Sequence, residues 1–262
     1  MNGMGSLRQL ALTLWLSEPV GSALASPPLR RALGLAHRGV ERAARRAYAR
    51  EWEPRAWSNR QLRAVAPLFD GRVVNVSGWE DRDKRGGRYR DYFTRAAGYE
   101  LTNYRGARAE SPPGVVSHSL DLAAAEAPPA LRGRYQVVLS HTTLEHLLDV
   151  QGAIRLLAAL TTDSVLLVVP MLAKLHASAS YGDFWRFTPD ALIELCRGQG
   201  LEPVQLRTND NPLFEVYIFG WFSRQPQRWA AQRRLEVRGG HARWGGSEDY
   251  EPFFRARYDP KR

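Results

Sequence analysis

The chain has 262 residues, 44% hydrophobic and 24% charged, so it can bury a core of its own, and it lacks the composition of a disordered or fibrous chain. Its net charge of +10 sits at the ends. Residues 1–55 carry nine Arg against four Glu, residues 224–262 carry nine Arg and one Lys against five acids, and the middle is neutral. The single cysteine, Cys196, excludes an intramolecular disulfide, and no apolar run reaches the length of a transmembrane helix.

In chain order, Leu10 to Leu16 is apolar and Ala23-Leu24-Ala25 has the small residues of a cleavage site, but Ser17-Glu18-Pro19 interrupts the run. The expectation is an amphipathic packing helix rather than a signal peptide. Residues 29–50 predict a second helix, with Leu33, Ala36, Val40 and Ala44 on one face and Arg on the other. Together 1–55 reads as a helical N-terminal extension. Asn59 to Leu68 predicts a short helix on the spacing of Leu62, Val65 and Leu68.

An α/β domain is then expected over 56–223. Strands are predicted at Arg72 to Val76, Tyr99 to Tyr104, Val115 to Leu120, Tyr135 to Leu139 and Val165 to Val169, the last stopped by Pro170. Tyr89 to Ala97 reads as the first crossover helix, Ala123 to Arg132 as connector or helix, and Val150 to Leu160 as a helix. Thr188-Pro189-Asp190 opens another helix: a hydroxyl cap, a proline at the first turn and an acid against the dipole. Gly198 and Gly200 end it, and Cys196 falls on its apolar side as a core residue. Two strands follow, near 203–207 and 215–222. This alternation implies a doubly wound, mostly parallel sheet. The segment 224–262 reads as a basic, aromatic C-terminal tail. Basic ends could touch an anionic membrane weakly, but 34 of the 37 basic residues are Arg, which points to compositional bias. No nucleic-acid module is visible, so no nucleic-acid partner is expected.

The polar loops that follow the strands carry the chemistry, because open α/β sheets bind ligands at their carboxyl ends. They are Asn75-Val76-Ser77-Gly78, Thr102-Asn103, Asp121-Leu122 and Ser140-His141-Thr142-Thr143-Leu144-Glu145-His146, with Tyr181-Gly182-Asp183-Phe184-Trp185-Arg186-Phe187 after the fifth strand. No dinucleotide glycine fingerprint or P-loop is present. His141 and His146 lack the spacing of a zinc-protease motif, and no metal site is expected.

These loops, spread over roughly Asp70 to Phe222, resemble class I S-adenosylmethionine-dependent methyltransferases, in particular the small-molecule branch linked to glycan and lipid biosynthesis. The resemblance implies a Rossmann-like sheet whose last strand, Glu215 to Phe222, is antiparallel. It implies S-adenosylmethionine as cofactor, a small-molecule acceptor and a cytoplasmic protein. Asn75, Ser77 and Gly78 stand in the degenerate glycine-rich motif, with Asn75 and Asn103 where the family carries acids. Acids restored at 75 and 103 are therefore expected to tighten cofactor binding. Asp121 would accept from adenine, and Leu122 would present its backbone amide to the ring. Ser140, His141 and Thr142 would flank the sulfonium. His146, Tyr181 and Asp183 are the catalytic or acceptor-side candidates, with His146 a general base or, with Glu145, part of a structural pair. His176 is a further acceptor-side candidate, and Trp185 and Phe187 read as core anchors. The other reading is a methyltransferase-fold scaffold that has lost catalysis. The oligomeric state is not legible.

Overall fold

The structure, a computed structural model, describes residues 53–104, 112–209 and 216–237, together with Phe254, Arg257 and Tyr258. The two helices expected before residue 51 and most of the tail beyond Val237 lie outside the described residues.

Helix α1 (Pro54–Val65) opens with Glu53, whose carboxylate accepts from the Ala56 N–H at 3.1 Å and caps the first turn. Strands β1 (Arg72–Val76), β2 (Gly98–Asn103), β3 (Val116–Ser119) and β4 (Tyr135–His141) follow, then α2 (Val150–Leu160), β5 (Thr161–Leu172) and α3 (Pro189–Arg197), and last β6 (Glu202–Thr208), β7 (Val216–Ser223) and β8 (Arg234–Glu236). The eight strands form one sheet in the order β3-β2-β1-β4-β5-β7-β6-β8. All pairings are parallel except those of β7, which runs against β5 and β6. The fold is therefore Rossmann-like, and the expected antiparallel strand is present. It is not the last strand, because β8 adds a further parallel strand from the segment read as tail.

Both faces are covered, as the apolar runs require. Alternate residues such as Val74, Val76, Val138 and Leu167 join α2 and α3 in one cluster. Their neighbours Val73, Val137, Leu139 and Leu166 join Trp57, Leu62 and Val65 of α1 in the other. Cys196 is fully buried in the first cluster, as a core residue. Phe254 and Tyr258 are buried there too.

Two expectations are corrected, and one open alternative is resolved. Tyr89 to Ala97 forms only a 3₁₀ turn, Tyr89–Tyr92, because Tyr89, Tyr92 and Phe93 turn together into the core. Residues 123–132, expected as connector or helix, are a connector holding only the short 3₁₀ turn Pro129–Leu131. Strand β5 runs through Pro170, which pairs with Tyr217 beside a register shift. A proline is tolerated at such a bulge because no ladder N–H is required of it, and its carbonyl accepts from Phe187 N–H at 2.9 Å.

Candidate functional site

The strand order reverses between β1 and β4, and this is where an open α/β sheet forms its crevice. Val76 pairs with Ser140 across that point and with Thr102 on the other side, and Asn103 pairs with Ser119. Ser77-Gly78, Asn103, Asp121-Leu122 and Ser140-His141-Thr142 therefore occupy the same carboxyl edge of four adjacent strands.

The loop after β1 is tightly coiled. Ser77, Trp79 and Asp81 all have positive φ, near 57°, 50° and 60°. A Cβ on Gly78 would come within 2.8 Å of Asn75 Nδ2 and Leu101 Cδ2, so only glycine lets the loop close on the sheet. Asn75 donates through Nδ2 to Asp81 Oδ1 at 3.0 Å. Asp81 is fully buried and also accepts from Tyr99 OH at 2.6 Å and Arg90 N–H at 3.0 Å. Burial pushes its carboxyl up despite these bonds. Asn103 accepts from Trp79 N–H at 2.7 Å and donates to Ser117 Oγ at 3.3 Å. Both asparagines thus hold the loop in shape. Neighbouring Asp83 is buried as well; burial opposes its ionisation, but bonds from Tyr92 OH and the Arg85 and Gly87 N–H groups outweigh it and hold the carboxyl down.

Asp121 accepts from Ala123 N–H at 2.9 Å through one oxygen, and its second has no partner among the described residues. Leu122 is buried in the core. The Ser140 hydroxyl is buried without a partner. His141 is packed under α1: Arg55 NH1 lies 2.6 Å from its Nδ1, and Ser58 Oγ lies 3.0 Å from its Nε2. Burial, then the Arg55 charge, holds this ring neutral. Arg55 also donates to Thr142 Oγ1 at 3.1 Å and Tyr89 OH at 3.1 Å. Thr142 itself has φ near 50°, with its N–H on Val168 O at 2.8 Å.

The loop after β5 folds back onto this edge through Phe184 N–H on Glu145 O (2.8 Å) and Trp185 Nε1 on Leu147 O (2.8 Å). Phe187 is a core anchor as expected. Trp185 is not: it is 39% exposed, because its indole N–H reaches out to the Leu147 carbonyl. His146 Nδ1 lies 2.6 Å from Gly182 O. A carbonyl only accepts, so Nδ1 carries the proton and Nε2 keeps its lone pair. The His146 ring stacks edge-on to Tyr181 (4.6 Å) and His176 (4.9 Å). Burial lowers its affinity for a second proton. Asp183 is clamped by Arg186 at 2.6 and 2.7 Å and accepts from His176 N–H at 2.7 Å, which keeps it well below the usual carboxylate range. Glu145 is buried and neither of its oxygens has a hydrogen-bond partner, and burial pushes it up to about 7.

The structure thus gathers His146, Tyr181, Asp183 and His176 into one cluster. It gives Asn75, Asn103 and His141 protein partners of their own. Sequence reasoning missed Arg55, Asp81 and Asp83. The acids of Asp81-Arg82-Asp83 beside Gly86-Gly87 were a visible signal of a turn needing buried partners. Arg55 left none, since its role depends on α1 crossing β4.

No family model matches the chain, and no curated protein matches it. Among solved structures it is similar to an S-adenosylmethionine-dependent methyltransferase from Mesorhizobium loti (13% identity, covering 63% of this chain and 96% of that one, TM-score 0.47). It is also similar to the 1,6-didemethyltoxoflavin-N1-methyltransferase of Burkholderia thailandensis, bound to its substrate and S-adenosylhomocysteine (16% identity, 76% and 91% covered, TM-score 0.47). A third is the phosphoethanolamine N-methyltransferase 2 of Haemonchus contortus (11% identity, 66% and 54% covered, TM-score 0.47).

Proposed function

We propose that this protein transfers a methyl group from S-adenosylmethionine to a small-molecule acceptor, in the class of saccharides or lipid-linked intermediates. The observation that carries the reading is the carboxyl edge of β3, β2, β1 and β4, where the Ser140 hydroxyl is buried and unpartnered and the second Asp121 carboxylate oxygen has no partner among the described residues. Buried polar groups are otherwise almost always satisfied, so an orphan at a crevice suits a polar ligand. These residues fit the cofactor: Asp121 would accept from the adenine amino group, the Leu122 amide would meet the ring, and Ser77-Gly78 and Ser140 to Thr142 would line the methionine portion.

The cofactor, when bound, supplies a methyl group that is already electrophilic, so the chain's work is alignment and exclusion of water. Arg55 fixes the 141–142 loop from above, and Tyr181, Phe184 and Trp185 form an exposed aromatic rim suited to a sugar or ring face. The His146 lone pair lies beside that rim.

One observation favours the scaffold reading: Asn75 and Asn103 are spent on internal bonds. Calorimetric titration with S-adenosylmethionine and with S-adenosylhomocysteine separates the two. Catalysis predicts saturable binding, weakened about tenfold by Asp121→Ala, or about 1.4 kcal/mol, the scale of one hydrogen bond in a closed pocket. Absence of binding at millimolar concentration leaves the scaffold reading standing.

A further inference from the structure

Glu145, His146 and His176 each offer one ligand-type atom, and these atoms all lie within 4.8 Å of one another. Sequence spacing hides the trio, because His176 comes from the loop after β5, thirty residues beyond His146. Their surroundings are those of ligands. The Glu145 carboxyl is 1% exposed and has no donor on either oxygen, so the protein leaves an acceptor group buried and uncompensated. His146 gives its Nδ1 proton to the Gly182 carbonyl and aims Nε2 toward Glu145, 3.9 Å from Oε1. That gap is too long for a hydrogen bond and suits two ligands of one ion.

His176 is arranged in the same way. Its Nδ1 faces Asp183 Oδ2 at 3.5 Å and Lys174 O at 3.3 Å, which leaves Nε2 as the ligand atom. Asp183 is in turn fixed by Arg186, which also cancels its charge. A metal-bound imidazole typically passes its other N–H to a backbone carbonyl or a carboxylate, and here each histidine has a carbonyl, Gly182 O for His146 and Lys174 O for His176. The edge-on stacking of His146 on His176 and Tyr181 holds the rings in place.

We propose that Glu145, His146 and His176 bind a divalent first-row transition metal, with one position left open beside Tyr181. Two imidazoles and one carboxylate are a donor set of open, zinc-type sites, whereas magnesium and calcium prefer oxygen alone. At zinc–ligand distances near 2 Å, tetrahedral neighbours stand about 3.4 Å apart, so the trio closes on an ion by small side-chain rotations. The binding stands independently of the methyl-transfer reading; only the occupant of the open position rests on it. There the acceptor hydroxyl would bind through oxygen and lose its proton to water, and the alkoxide oxygen would form the O–CH₃ bond as the S–CH₃ bond of S-adenosylmethionine breaks, its electron pair leaving with the sulfur of S-adenosylhomocysteine. His146 is then a ligand and not the base.

The test uses tag-free, metal-stripped full-length protein titrated with Co²⁺, without S-adenosylmethionine. The expected result is one Co²⁺ bound per chain at micromolar affinity or better, with the visible absorption of a tetrahedral site, and displacement by Zn²⁺. His176→Ala, at a half-exposed side chain that leaves the fold intact, is expected to weaken binding tenfold or more, and Glu145→Gln likewise. Absent visible bands, or a weak affinity indifferent to both substitutions, would overturn the proposal. S-adenosylmethionine affinity is measured on the same sample. Cofactor binding without Co²⁺ binding sinks the metal site alone, and Co²⁺ binding without cofactor binding sinks the methyl-transfer reading alone.

Discussion

Asn75, near the end of β1, donates to a buried carboxylate, and that reverses what an acid would do there. From sequence, Asn75→Asp looks like restoration of a cofactor-binding acid. In the structure the Asn75 amide donates to Asp81 Oδ1 at 3.0 Å, inside a loop that buries both residues. A carboxylate at position 75 would face the Asp81 carboxylate instead, with a donor lost and a like charge gained. One of the two would have to take a proton, so the folded pair would titrate above the ordinary carboxylate range. A raised folded pKa adds stability that is present at low pH and lost as pH rises through it. Asn75→Asp is therefore expected to cost on the order of 2–4 kcal/mol at pH 7 and distinctly less near pH 4. Urea unfolding of parent and variant at the two pH values checks this. A variant as stable as the parent at pH 7 would mean that the loop opens to let the introduced carboxylate reach solvent, and the charge clash with Asp81 would then be discarded.

Among the elements, the strands were legible and the connections were not. Runs such as Val73-Val74 and Val137-Val138-Leu139 are apolar on every residue because each face meets its own cluster, and burial on both faces overrides any local ambiguity. Caps were legible for the same local reason: Thr188 accepts from Ala191 N–H at 3.2 Å as its position before Pro189 suggests. Tyr89 to Ala97 was misread because aromatic spacing of three or four suits a 3₁₀ turn as well as a helix. In the site, single-loop groups such as Glu145-His146 could be found from sequence, but the partners that define their chemistry, Gly182, His176 and Arg55, come from elsewhere in the fold. No fold could be assigned to 224–262 from sequence, because its Arg, Gly and aromatic residues follow no helix or strand period. Pro226–Gln232 and β8 return the chain to β6, and Trp229 wedges between Phe69 (5.2 Å) and Trp221 (4.9 Å) with its indole N–H 3.2 Å from Asp163 Oδ2. Trp229→Ala removes that packing and leaves Asp163 one donor short, so a loss of about 3–5 kcal/mol is expected by urea unfolding. Trp229→Phe, which keeps a ring but not the N–H, should lose markedly less. A loss below about 1 kcal/mol for the alanine variant would show that this turn is not part of the domain's cooperative unit.

Across the whole sheet the two edges are built to opposite ends. The carboxyl edge leaves Ser140 and Glu145 unsatisfied, while toward the amino edge Glu100 is buried with every oxygen engaged. It accepts from Arg72 of β1 at 2.5 Å, His118 of β3 at 2.7 Å, Arg134 at 2.8 Å and Tyr135 of β4 at 2.8 Å, so one carboxylate on β2 ties four adjacent strands together. Burial alone would raise its pKa, but the bonds from Arg72, Arg134, Tyr135 and His118 outweigh it and hold the group at about 2. The sign follows from that. A carboxylate depressed below its ordinary value of 4.5 adds stability that is complete above the unfolded value and is lost as pH falls from there toward about 2. Glu100→Gln keeps the shape but removes the charge that three cationic or potentially cationic partners share. It is expected to lower stability by on the order of 1–3 kcal/mol at pH 7, with the gap from the parent narrowing through pH 4 and 3. Urea midpoints at the three pH values read this directly. A gap that stays constant with pH would assign the role of Glu100 to packing and hydrogen bonding, and the acid sensitivity of the fold would then have to arise at other carboxylates, with Asp83, also depressed and buried, the next to test.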